Sequence, residues 1–144
     1  MPFCRDNSLS FQLGVAMRRV ARLYTEELAP FQLTPPQLYL LTCLEQNAGC
    51  KPREIARSIC VDASSITSLL DRSEQAGLIE RQADPADRRS LQIFLTDQGR
   101  QRLATVAQTV ESLNHRIRDE LLSPFNDDQI DLFLAMLRGI GKDA

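Results

Sequence analysis

Ser64, Ser65, Thr67 and Ser68 crowd four hydroxyls into the first two turns of a predicted helix, and each hydroxyl both donates and accepts hydrogen bonds. Further along, Asp87-Arg88-Arg89 places two long cations behind a carboxylate in a stretch of turn chemistry. Hydroxyls at the start of a helix suit base edges in the major groove of DNA, where the positive helix end and its amides meet phosphate. Arginines at a hairpin tip suit a narrow minor groove, and Asp87 is placed to hold one of them. Serine and threonine discriminate weakly among bases, so part of any specificity has to come from DNA shape. A solvated helix surface and a solvated turn are the bland alternatives. The two clusters together favour nucleic acid.

Other chemistries find less support. The four cysteines, Cys4, Cys43, Cys50 and Cys60, contain no C-x-x-C pair, and His115 is the single histidine, so neither a metal site nor a cofactor is expected. There is no phosphate loop, and catalysis would need a cysteine nucleophile near His115; an enzyme is not expected. Cys4, beside Arg5, is the candidate for redox sensing, whereas Cys43 and Cys60 are expected to be buried in helices. Apolar runs are too short for a membrane span or a secretory leader, which predicts a cytoplasmic protein. A net charge of −2 argues against a non-specific coater of nucleic acid. Residues 51–102 carry nine Lys/Arg against eight Asp/Glu, so a DNA case rests on where individual arginines sit.

The elements that must position these residues follow from periodicity and caps. Leu9, Leu13, Ala16, Met17, Val20, Leu23, Tyr24 and Leu28 recur at spacings of three and four, predicting a helix to about Pro30. Arg18, Arg19 and Arg22 ride its solvated side. Thr34, Pro35 and Gln37 form a capping box with Leu33 and Leu38 as hydrophobic staple, opening a second helix to about Gln46. Pro52 opens a third, carrying Ile55, Ala56 and Ile59 inward from a poor N-cap, Lys51. After a turn at Cys60-Val61, Asp62 caps a fourth helix with Ile66, Leu69 and Leu70 inward, ending at Gly77. The period then becomes two: Leu78–Gln82 reads as a strand, Asp84-Pro85-Ala86-Asp87 as a turn, and Leu91, Ile93 and Leu95 as the returning strand, with Phe94 out of pattern. Thr96 caps a long helix bearing Leu103, Val106, Ala107, Val110, Leu113, Ile117 and Leu121, with Gly99 tolerated in its first turn. Ser123-Pro124 stops it, and Asn126 with Gln129 starts a last helix bearing Ile130, Phe133, Leu134, Leu137 and Ile140.

The expected fold is mainly α with a small β-hairpin wing: a winged helix-turn-helix over 31–97, between an N-terminal helix in 1–30 and C-terminal helices in 98–144. Those flanking helices carry wide apolar stripes that a unit of this size cannot cover, so burial against a second copy of the chain is expected. A two-fold dimer would present two recognition helices to double-stranded DNA, and its operator would be an inverted repeat with half-sites about one helical turn apart. A ligand wedged between the winged unit and the dimer helices could change their spacing.

The order and spacing of Leu33-Thr34-Pro35-Pro36-Gln37, of Asp62-Ala63-Ser64-Ser65-Ile66-Thr67-Ser68-Leu69-Leu70-Asp71-Arg72, of Gly77-Leu78-Ile79-Glu80-Arg81, and of Asp87-Arg88-Arg89 before Leu95-Thr96 resemble the MarR family of bacterial regulators. The resemblance implies winged-helix homodimers that usually repress transcription and are released by small phenolic ligands or oxidants. It further implies that Asp87 aligns Arg89 for the minor groove and that Arg72 and Arg81 contact phosphates. Ser68 stands where many members carry a basic residue, Ser73 where a leucine usually packs, and Ser10 where the peroxide-sensing branch has its cysteine. The competing reading is a winged-helix module for protein contacts without DNA, which Arg88 and Arg89 would discriminate.

Overall fold

A computed structural model describes residues 8–87 and 89–141, so Cys4 and Arg88 lie outside the described residues. Helix α1 (Leu9–Leu28) begins where the Ser8 hydroxyl accepts the Phe11 N–H, and a single 3-10 turn (Ala29–Phe31) leads out of it. The capping box predicted at the next helix is present. Thr34 Oγ1 accepts the Gln37 N–H and Gln37 Oε1 accepts the Thr34 N–H at 3.0 Å, starting α2 (Pro35–Gln46) on two prolines. Leu33 and Leu38 are both buried, as a staple requires.

Helix α2 supplies the centre of the core, with Leu40, Leu41 and Leu44 essentially inaccessible. Helix α3 (Pro52–Ser58) is short and starts despite Lys51 because Glu54 Oε2 reaches back to the Lys51 N–H at 2.8 Å. Ile59, expected to point inward from this helix, is its C-cap and only partly buried. Cys60 corrects the expectation of a buried helical thiol: it is exposed and holds the turn with φ +55°, a left-handed conformation no helix interior contains. Helix α4 (Ala63–Gln75) follows with Ile66, Leu69 and Leu70 buried; Asp62 occupies the N-cap, but its side chain makes no capping hydrogen bond. Gly77, at φ +70°, turns the chain out of α4.

The hairpin consists of β1 (Ile79–Ala83) and β2 (Leu91–Leu95), antiparallel with Ile79 opposite Leu95 and Ala83 opposite Leu91. Strand β1 starts one residue later than expected because the Leu78 N–H still closes the end of α4 on the Ser73 carbonyl at 3.0 Å. Cys50 adds a single bridge to Ile93, tying the α2–α3 loop to the hairpin. Helix α5 (Asp97–Leu121) is capped by Thr96, whose hydroxyl accepts the Gly99 N–H and donates to the Gly77 carbonyl at 2.6 Å. Helix α6 (Asp127–Ile140) opens on the predicted Asn126–Gln129 box and buries only Ile130. The architecture is a winged helix-turn-helix with long helices at both ends, and no helix among the described residues is long and apolar enough to cross a membrane.

Ser73 is fully buried on the inner face of α4, and its hydroxyl has no hydrogen-bond partner among the described residues. An orphaned hydroxyl carries its desolvation cost uncompensated. Ser73→Ala should therefore raise the unfolding free energy by about 1 kcal/mol in urea titration. A loss of similar size would show that the hydroxyl is satisfied.

Candidate nucleic-acid interface

The inner face of α4 carries Ile66, Leu69, Leu70 and Ser73, which leaves Ser64, Ser65, Thr67, Ser68 and Arg72 on the exposed surface. The helical period alone dictates this split, since residues three and four apart share a face. Arg72 lies back along its helix, with Nε donating to the Ser68 carbonyl at 3.2 Å, and its terminal nitrogens remain free of ion pairs among the described residues.

Arg81, expected from the family resemblance at phosphate, projects from β1 onto α4. Its Nη2 donates to Asp71 Oδ1 at 2.5 Å and its Nη1 to Glu74. One guanidinium thus fastens the hairpin to α4 and offsets one of the two carboxylate charges, lowering the repulsion that a phosphate backbone would meet there. The sequence carries no local signal for this pairing, because its three members sit on two different elements.

The hairpin tip is organised by aspartates. Asp87 Oδ1 accepts the Arg89 backbone N–H at 3.0 Å, while the Ser90 N–H returns to the Asp87 carbonyl at 2.8 Å. The carboxylate holds the arginine by its main chain rather than by its guanidinium, since an aspartate in a tight turn reaches the amide two residues on. The Arg89 side chain is left exposed. Behind the tip, Asp84 accepts the Ala86 N–H at 2.9 Å and pairs with Lys51 Nζ at 3.2 Å, though its side chain is only 8% exposed. Lys51 and Asp84 are the supporting pair that sequence reasoning missed; the charge of Lys51, discounted as a poor cap, was the available signal.

The Ala86 amide and, after it, Lys51 hold the Asp84 carboxyl below its ordinary value. A depressed carboxylate stabilises the ordered wing at every pH above its unfolded value, about 3.9, and that contribution is lost as pH falls through the lower folded value. Asp84→Asn should accordingly speed hydrogen exchange at the Ala86 amide at neutral pH and remove its acid sensitivity. Exchange identical to wild type at neutral pH would dismiss Asp84 as the wing's anchor.

Where α1, α2 and α5 meet, a cavity of about 750 Å³ opens, walled by Tyr24, Tyr39, Leu38, Leu103, Val106 and Val110. Tyr24 donates its phenol proton to Asn114 Oδ1 at 2.5 Å, bracing α1 against α5, and Arg116 adds an ion pair to Glu27 at 2.7 Å. Cys43 and Cys60 also line the cavity, and burial pushes the nearby Cys50 thiol up, which disfavours its reactive thiolate. Among the described residues no three His, Cys, Asp or Glu side chains converge as metal ligands.

Comparison with known proteins gives a consistent picture. The family model described as MarR family matches residues 33–91. The HTH-type transcriptional regulator TtmR of Methylorubrum extorquens (strain PA1) is 36% identical over 99 residues, 69% of this chain, and the match spans 51% of that protein, about half its length. The HTH-type transcriptional regulator MgrA of Staphylococcus aureus is 31% identical over 117 residues, covering 78% of this chain and 80% of that protein. Among solved structures, the transcriptional repressor CouR bound to a 23-mer DNA duplex superimposes with a TM-score of 0.82 at 35% identity, over 94% of this chain and 93% of that one.

Proposed function

This chain belongs to the MarR family, and from that premise we propose that it is a homodimeric transcription regulator that binds inverted-repeat operator DNA. Segment 31–97 is the DNA-binding unit; 1–30 and 98–144 supply dimerisation. The observation that carries the reading is the Arg81 clamp on Asp71 and Glu74, which makes the hydroxyl face of α4 and the hairpin bearing Arg89 one rigid unit. Ser64, Ser65, Thr67 and Ser68 then meet base edges, Arg72 meets phosphate, and Arg88 and Arg89 enter the minor groove. No chemical turnover is assigned to the chain.

Similarity to a repressor solved on DNA supports the same partner and the same sign of regulation. The cavity at the α1–α2–α5 junction is the signal site. A small aromatic molecule bound there shifts the operator affinity only as far as it prefers one spacing of the two recognition helices.

Fluorescence anisotropy of the purified protein on DNA upstream of its own gene, against scrambled DNA at two salt concentrations, tests the proposal. Arg89→Ala should weaken selective binding about tenfold, and Arg72→Ala should lower the salt slope by about one. Equal, salt-insensitive binding to both DNAs, untouched by either substitution, would favour a winged-helix adaptor for proteins.

A further inference from the structure

We propose that the 750 Å³ cavity selects aromatic cations, a flat ring system carrying a protonated amine or a quaternary ammonium, and excludes carboxylate ligands of the same size. The inference rests on the cavity being the signal site and names the class of molecule that site accepts.

Three properties of the walls point the same way. First, charge: Glu45 from α2 and Glu111 from α5 both line the cavity, and no lysine, arginine or histidine does so among the described residues. Neither glutamate is in an ion pair with a described residue, so neither carboxylate is already matched to a protein cation. Second, aromatic faces: Tyr24 and Tyr39 stand in the wall, and their ring faces attract a cation through the quadrupole. Burial, with a smaller push from Tyr39, raises the Tyr24 phenol above its ordinary value, so that ring stays neutral.

Third, hydrogen-bond sense: the Tyr24 O–H is committed to Asn114 Oδ1 and the Thr42 hydroxyl donates to the Leu38 carbonyl at 2.9 Å. Both oxygens are left to the cavity as acceptors. The remaining donors, such as the Ser58 hydroxyl and the Gln46 amide, are uncharged. A carboxylate entering here would lose water and gain no cation, against two like charges. An ammonium would find acceptors, carboxylates and aromatic faces together. Leu103, Val106 and Val110 supply the apolar floor for the ring body. Because both glutamates are exposed, solvent screens their pull, and the preference expected is about tenfold rather than thousands-fold.

The test uses the full chain without DNA and three fluorescent probes of one shape: naphthylmethylammonium, naphthylmethanol and naphthoate, each titrated by its own anisotropy. The cation should bind about tenfold more tightly than the alcohol, and naphthoate most weakly. The double variant E45Q/E111Q should bring the cation to the affinity of the alcohol while leaving the alcohol unchanged. Ala107→Trp, which places an indole in the cavity from the exposed side of α5, should abolish binding of the cation and the alcohol. Naphthoate binding as tightly as the cation, or a cation preference that survives E45Q/E111Q, overturns the charge inference and leaves the cavity as a ligand site. Absence of binding by all three probes, or binding unaffected by Ala107→Trp, overturns both.

Discussion

Gly99→Ala is expected to lower the unfolding free energy by about 3 kcal/mol, and among the described glycines it is the one whose added methyl would meet backbone within 3 Å. Gly99 sits in the first turn of α5 where that helix crosses the base of the hairpin. A Cβ there would lie 2.0 Å from the Leu78 carbonyl oxygen and 3.0 Å from its carbon. Both are backbone atoms, so no rotamer change relieves the overlap. The same carbonyl accepts the Thr96 N–H at 3.2 Å, and the Thr96 hydroxyl both caps α5 and donates to the Gly77 carbonyl. Pushing α5 away from Leu78 therefore breaks a hydrogen-bonded joint as well as a packing contact. Urea denaturation compares Gly99→Ala with Gly14→Ala, where among the described residues the added methyl meets only the flexible end of Arg18 at 3.4 Å and should stabilise by about 0.4–1 kcal/mol. A Gly99→Ala protein within 0.5 kcal/mol of wild type, roughly the error of neutral surface changes, would refute the close approach. Operator affinity should fall with stability, because this joint sets the hairpin against the long helix.

The second large effect concerns assembly. Leu132, Met136 and Ile140 of α6 are 60–62% exposed in the protomer, and Leu9 and Met17 of α1 are as exposed or more. Helices at opposite ends of the chain thus present apolar surface that the protomer does not cover, and a second copy is the economical cover. Leu132→Glu with Met136→Glu puts four charges into the proposed two-fold interface. The double variant should sediment as a monomer with the winged unit still folded. Its operator affinity should fall by about 10²–10⁴-fold, the avidity lost when two recognition helices become independent. A variant that stays dimeric, or a monomer with wild-type affinity, would remove α6 from the interface or the dimer from the mechanism.

These two effects differ in how far the amino-acid order announces them. The apolar stripe of α1, which holds Leu9 and Met17, is visible as spacings of three and four, so the need for a partner surface is legible in the chain alone. On α6 only Ile140 of the three exposed residues belongs to the stripe read from the sequence, and the outward placement of Leu132 and Met136 is decided by the fold. Gly99 reads locally as a tolerated glycine, because nothing near it in the chain discloses that the Leu78 carbonyl lies against it. Helix α4 divides in the same way. Its exposed hydroxyls and buried stripe follow from period alone, whereas the commitment of Arg81 to Asp71 and Glu74 depends on how β1 is laid across α4.

What the chain determines by itself is therefore its local chemistry. The boxes at Thr34–Gln37 and Asn126–Gln129 and the Thr96 cap each join groups within four residues, and each forms as the residue types dictate. The tertiary structure alone decides the Arg81 clamp, the Lys51 support of Asp84, the left-handed exposure of Cys60, the Gly99 joint, and the cavity whose carboxylates come from α2 and α5. Caps and periodicity arise from backbone groups a turn apart, which the sequence orders directly. Ion pairs and cavities arise between elements whose rotation and approach are settled only when all their apolar faces are buried at once.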